Sequence, residues 1–173
     1  MLTLTSMLAR TVRLFGGRPA VEDPEGTLTW AQLGDRVGRA AAVLRSLGVG
    51  RGDRFAILSR NGYRQAEVIY AGYWLGAVPV PVNFRLAPPE ITQILDDAEC
   101  SLLVVENAFE DLLERPERRD VLWIGTDPAD GRRSHYDALL AQATPAPPVE
   151  AAEDDDALLI YTGGTTGRAK GVR

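Results

Sequence analysis

The sequence predicts an α/β fold, a mostly parallel sheet flanked by helices. Short apolar runs of strand length recur at Arg54 to Ser59, Leu102 to Val105 and Val121 to Ile124. Stretches with helical spacing of apolar residues lie between them. The strand-like runs are also nearly continuous in apolar character, the pattern of strands covered on both faces, as a parallel sheet requires.

Composition agrees. A chain of 173 residues can bury a sizeable core as one domain, and 45% hydrophobic with 25% charged residues is ordinary for a globular protein. No run reaches the roughly 18 apolar residues of a membrane span. The longest candidate, Ala66 to Val82, is interrupted by Glu67, Pro79 and Pro81. Met1 to Met7 lacks the basic start and apolar stretch of a signal peptide, so a cytoplasmic location is expected. Cys100 is the only cysteine, which rules out a disulfide within the chain and a cysteine-rich metal site; it is expected to be buried beside a strand. The net charge of −5 argues against nonspecific nucleic-acid binding, which needs a basic face.

Taken in order, Leu4, Leu8, Val12 and Phe15 predict a first amphipathic helix ended by Gly16-Gly17. Ala20 to Glu22 and Thr27 to Thr29 flank Asp23-Pro24-Glu25-Gly26, the composition of a hairpin turn. Thr29 and Gln32 form a capping-box pattern. Trp30, Leu33, Val37, Ala40, Ala41, Leu44 and Leu47 then make one apolar stripe, a helix of about five turns closed by Gly48 and Gly50. Gly48-Val49-Gly50-Arg51-Gly52 is no dinucleotide fingerprint, because a helix precedes it and a strand follows. It is read as a helix stop and turn into the strand Arg54 to Ser59.

A helix is expected from Tyr63 to Gly76. Val78-Pro79-Val80-Pro81-Val82 follows as an edge strand or extended segment, since two prolines remove ladder donors. Pro88-Pro89-Glu90 opens the next helix, with Ile91, Ile94, Leu95 and Ala98 on one face. Leu102 to Val105 is a buried strand, Phe109 to Glu114 a short helix, Val121 to Ile124 a strand and Tyr136 to Ala141 a short helix. The expected organisation is an α/β unit over 1–143, a proline-rich and acidic connector over 144–155, and a strand with a glycine-rich loop over 156–173. Within the connector, Glu153 to Asp156 is read as a solvated face, not a metal site. His135, the only histidine, is read as a surface residue.

The last stretch carries the chemistry. Ala157 to Tyr161 predicts a buried strand feeding a loop of glycines and threonines and then Lys170, the only lysine among 19 basic residues. Glycines let backbone N–H groups converge on an anion, threonine hydroxyls add donors and the ammonium adds a point charge. The loop is not a Walker A motif, because Lys170 is preceded by Ala169 and followed by Gly171 where that motif has glycine and then Ser or Thr. No closing element is expected after Lys170, and an end at Arg173 is read as a truncation.

Tyr161-Thr162-Gly163-Gly164-Thr165-Thr166-Gly167-Arg168-Ala169-Lys170-Gly171-Val172 resembles the phosphate-binding signature of the adenylate-forming enzymes, Y-T-S-G-T-T-G-x-P-K-G-V. That family includes AMP-forming acyl-CoA synthetases, aryl-CoA ligases, luciferases and peptide-synthetase adenylation domains. Leu28 to Leu33, Leu47 to Ala56 and Gly76 to Arg85 also resemble family segments, in the same order. The resemblance covers nearly the whole chain and implies the first part of the large N-terminal domain of an enzyme of about 500 residues. Two positions depart from the signature. Gly163 replaces serine, the loss of one hydroxyl donor worth about 1 kcal/mol, and Ala169 replaces proline, which leaves the loop less rigid.

The resemblance implies a carboxylic acid substrate activated by Mg-ATP as an acyl-adenylate and then passed to coenzyme A. It implies that Thr162, Gly163, Gly164, Thr165, Thr166 and Gly167 meet the β- and γ-phosphates, with Lys170 as an added electrostatic contact. The cofactors and co-substrates implied are therefore ATP, Mg2+ and coenzyme A. No catalytic residue or metal ligand is expected within this chain, which alone is expected to be inactive; a homodimer is left open. Two alternatives stand beside this reading: an adenylation domain that loads a carrier-protein thiol, and a non-catalytic nucleotide-binding or interaction module. A strand followed by a Gly/Thr turn needs no ligand, and only the twelve-residue match, with upstream segments in order, weighs against that plainer reading.

Overall fold

In the computed structural model the described residues are 3–24, 26–114, 120–125, 136–152, 154–162 and 170–172. Strands β3 (Arg54–Leu58), β4 (Val78–Pro81), β5 (Leu102–Glu106) and β6 (Asp120–Ile124) form a parallel sheet in the order β4-β3-β5-β6. Two further strands, β1 (Pro19–Asp23) and β2 (Gly26–Thr29), make the expected antiparallel hairpin.

The strands are apolar except at their ends, where Arg54, Glu106 and Asp120 lie, because each face has its own core. On β3, Phe55 and Ile57 enter one buried cluster while Ala56 and Leu58 enter the other. Leu102 and Val104 divide from Leu103 and Val105 on β5 in the same way. The period-2 geometry of a strand is therefore present, but both faces carry hydrophobic residues.

Helices α1 (Leu4–Phe15), α2 (Trp30–Ser46), α3 (Tyr63–Leu75) and α5 (Tyr136–Gln142) supply residues to the first cluster, and α4 (Pro88–Asp97) to the second. The Thr29 hydroxyl accepts from Gln32 N at 3.3 Å, and Gln32 Oε1 accepts from Thr29 N at 2.8 Å, which forms the expected capping box on α2. On α3, Gly72 faces the sheet; a Cβ there would lie 2.7 Å from Pro79 Cγ and 2.9 Å from the Phe55 ring, so the helix approaches the sheet as closely as it does only because that side chain is absent.

Strand β4 lies at the edge, as its prolines predict. Val78 N donates to Asp53 O and Val82 N to Ile57 O, so valines carry these bonds towards the β3 side. The prolines cost nothing there. Cys100 is buried just before β5, and the Gly48 to Gly52 segment is the turn between α2 and β3.

Three local expectations change. The helix expected from Phe109 to Glu114 is a 3-10 helix over Asn107–Leu112, and Phe109, at φ −115°, departs from helical backbone within it. The proline-rich segment is extended but docked. Ala146 N donates to Gly38 O, Trp74 Nε1 donates to Ala146 O at 2.8 Å, and Val149 N donates to Trp74 O, which straps the segment across α2 and α3. In the acidic run, Asp155 is half-buried and accepts from Arg51 Nη2 at 2.8 Å and Ala152 N at 2.9 Å, so this position is paired and not merely solvated. His135 lies outside the described residues.

Candidate functional site

The expected buried strand Ala157 to Tyr161 is instead the short strand β7 (Ile160–Thr162), which pairs antiparallel with β8 (Lys170–Val172) in a sheet of its own. Leu159 is buried, but Ala157, Ile160 and Thr162 are exposed. The reason is geometric: a two-stranded ribbon that lies along a sheet edge can bury one face, and the described residues leave Ile160 and its ladder partner Val172 on the bare one. Strand β8 was not expected at all. Three residues that include a glycine carry almost no strand signal, and the pairing with β7 decides their conformation.

Two contacts seat the hairpin. Leu159 N donates to Pro79 O at 3.1 Å, on the edge strand β4. The Tyr161 hydroxyl donates to Asp97 Oδ2 at 2.5 Å, at the end of α4. Burial pushes the Tyr161 phenol above its ordinary ionisation range, and the hydrogen bond to the Asp97 carboxylate adds to the shift. Opposite Tyr161 stands Gly171, where a Cβ would lie 3.0 Å from Leu159 Cδ1 and 3.2 Å from Tyr161 Cζ. Glycine lets β8 lie directly over these two side chains.

The register makes Thr162 and Lys170 ladder partners, both exposed, at the two ends of the glycine-rich segment. Of the residues that the sequence singles out, the structure thus brings Thr162 and Lys170 together. Gly163, Gly164, Thr165, Thr166 and Gly167 lie outside the described residues.

A second concavity lies at the carboxyl ends of the parallel strands. The chain leaves β3 for β4 on one side and then crosses to β5 on the other, which is a topological switch point, where open α/β sheets commonly bind ligands. A cavity of about 330 Å3 opens there, lined by Asp23, Ser59, Arg60, Gly62 and Glu106. Its charged groups already engage one another or the backbone: Arg60 Nε donates to Glu106 Oε1 at 2.8 Å, and Tyr63 N donates to Asp23 Oδ2 at 3.2 Å. The buried Ser59 Oγ has no hydrogen-bond partner among the described residues. Sequence reasoning missed this crevice, because it is assembled from the ends of strands far apart in the chain.

Among the described residues, no group of three or more His, Cys, Asp or Glu side chains could hold a metal ion, and no helix is long and apolar enough to cross a membrane. The family model described as AMP-binding enzyme matches residues 8–173. The chain belongs to the AMP-binding enzyme family.

The chain is 35% identical over 151 residues to the long-chain-fatty-acid–CoA ligase FadD13 of Mycobacterium tuberculosis, covering 84% of this chain and 29% of that protein. It is 35% identical over 159 residues to the fatty acid–[acyl-carrier-protein] ligase ScoC of Streptomyces coeruleorubidus, covering 89% of this chain and 29% of that protein. Among solved structures, the inhibitor-bound N-terminal domain of FACL13 from Mycobacterium tuberculosis superposes with a TM-score of 0.85 at 32% identity, covering 99% of this chain and 44% of that one. The chain thus spans under a third of the length of these two relatives and matches an N-terminal portion of the family fold. The parallel sheet flanked by helices is the family's architecture.

Proposed function

We propose that this chain is the N-terminal portion of an ATP-dependent ligase that activates a carboxylic acid as an acyl-adenylate and transfers the acyl group to coenzyme A. The observation that carries the proposal is the register of β7 and β8, which makes Thr162 and Lys170, the residues that flank the Gly/Thr-rich segment in sequence, ladder partners. A hydroxyl and an ammonium, both exposed, suit a phosphate chain.

On this reading the parent carries out two steps. A substrate carboxylate oxygen bonds to the α-phosphorus of ATP, the bond to the β-phosphate bridging oxygen breaks, and pyrophosphate leaves. A thiolate then attacks the acyl carbon and AMP leaves as the thioester forms. This chain's share is to hold the departing phosphates: Thr162, Gly163, Gly164, Thr165, Thr166 and Gly167 through donors, Lys170 through its charge. The nucleotide is proposed to enter as its Mg2+ complex, with the ion's protein ligands in the rest of the parent.

The proposed organisation is an α/β unit over 1–143 and a strap over 144–155 that delivers the hairpin and loop of 156–173. The chain by itself is proposed to be inactive. A second reading, transfer to a carrier-protein thiol, is favoured by the similarity to ScoC.

The test is ATP–pyrophosphate exchange by the full-length parent across a panel of aliphatic and aromatic carboxylates, followed by acceptor assays with coenzyme A and with a phosphopantetheinyl carrier protein. Carboxylate-dependent exchange and thioester formation on coenzyme A are expected. Exchange with transfer only to the carrier protein selects the second reading, and no exchange with any carboxylate overturns both.

A further inference from the structure

We propose that α1 docks the parent protein on an anionic lipid surface. This helix has an apolar arc wider than the core covers. Thr5 and Leu8 are buried, and Ala9 and Val12 pack against the core. At about 100° per residue, Leu4, Met7, Leu14 and Phe15 fall with Thr11 on an arc that adjoins the core-facing one, with Phe15 next to Leu8 in projection. These four are exposed by 41%, 47%, 53% and 43%. Thr11 does not break the arc's apolar character, because its hydroxyl donates to Met7 O at 2.9 Å.

Charge identifies the occupant. Arg10 borders the arc on the side away from the core, Arg13 lies beyond it round the helix, and both are exposed. Arg18 lies with its guanidinium carbon 5.2 Å from the Phe15 ring centroid. The chain has no acidic residue before Glu22, although its net charge is −5. An exposed Leu, Met and Phe stripe edged by arginines, on an otherwise acidic chain, has the chemistry of an interfacial helix: the apolar residues enter the acyl boundary and the guanidinium groups meet anionic headgroups. Leu4 alone borders acid, since the cavity beside it is also lined by Asp155 and Asp156 and Asp155 is held by Arg51. Insertion is therefore centred on Met7, Leu14 and Phe15. This inference does not depend on the catalytic reading.

The experiment is co-sedimentation of the full-length parent with vesicles of phosphatidylcholine alone and of phosphatidylcholine with phosphatidylglycerol. Binding to the mixed vesicles at least about tenfold tighter than to phosphatidylcholine, and weakened by salt, is expected. Both Met7→Ser/Leu14→Ser/Phe15→Ser and Arg10→Ser/Arg13→Ser should lower that binding about tenfold while thermal melting and lipid-free ATP–pyrophosphate exchange stay unchanged. No wild-type binding to either vesicle, as when another part of the parent or a second copy covers the helix, overturns the proposal. Undiminished binding by both variants overturns it equally.

Discussion

Glu67 of α3, fully buried, accepts a hydrogen bond from Arg36 of α2, with Nη2 3.2 Å from Oε1 and Nε on the other carboxylate oxygen. The same guanidinium reaches Asp137 of α5 at 2.8 Å, and the Tyr136 hydroxyl donates to Glu67. Burial pushes the Glu67 carboxyl above 4.5, while the Arg36 contacts pull it back. One carboxyl group thus ties three helices together over the first core cluster. Glu67→Ala leaves the Tyr136 hydroxyl without its acceptor and Arg36 with Asp137 alone, and is expected to cost about 3 kcal/mol in urea denaturation. Asp35→Ala removes a pair with Arg39 whose carboxylate is half-exposed, and should cost under about 0.5 kcal/mol. Equal losses in the two variants would show that the Glu67 network does not bear on stability.

Tyr136 gives this network a pH signature. Burial, first, and then the Glu67 carboxylate hold its phenol well above 10.0. The unfolded chain therefore loses this proton near pH 10 while the folded chain keeps it. The contribution is complete below pH 10 and is lost as pH rises beyond it, at up to about 1.4 kcal/mol per pH unit. Tyr136→Phe should fall less steeply between pH 10 and 11.5, with a residual slope from Tyr73 and Tyr161, whose phenols are also raised. Superimposable stability–pH slopes for variant and wild type would count against the assignment.

Gly171 tests the hairpin. A methyl group there meets Leu159 and Tyr161, so Gly171→Ala should lift β8 from β7 and move Lys170 relative to Thr162. ATP–pyrophosphate exchange by the parent should fall about tenfold, an estimate from the sensitivity of positioned groups to small displacements. Gly17→Ala, where a Cβ would meet nothing within 4 Å, is the matched control and should leave exchange unchanged. Wild-type exchange in Gly171→Ala would mean that the β8 position does not matter to the site.

What could be read from the sequence was whatever local pattern decides. The β3 residues are apolar on both faces, and Thr29 with Gln32 caps α2 without help from elsewhere. The unread parts depend on distant partners. Glu67 looked like an interruption in an apolar run, and only α2 and α5 supply the donors that make it a buried joint. The proline-rich part of the 144–155 connector carries no local sign of a docking partner, and the backbone partners at Gly38 and Trp74 turn it into a strap. In the site, Lys170 was legible by type and spacing, but its pairing with Thr162 required a strand that three residues cannot announce.

Lys170 itself separates charge from shape. It is exposed, so Lys170→Ala should leave melting unchanged. If its ammonium meets a phosphate in the bound state, the parent's KM for ATP in the exchange reaction should rise about tenfold, equivalent to about 1.4 kcal/mol of lost binding. Because a point charge is what the position supplies, Lys170→Arg should recover most of this loss. Were kcat to fall with KM unchanged, the ammonium would act on charge developing in the transition state and not on bound ATP. Unchanged kinetics in Lys170→Ala would remove Lys170 from the site, and with it the argument that the β7–β8 register positions a phosphate contact.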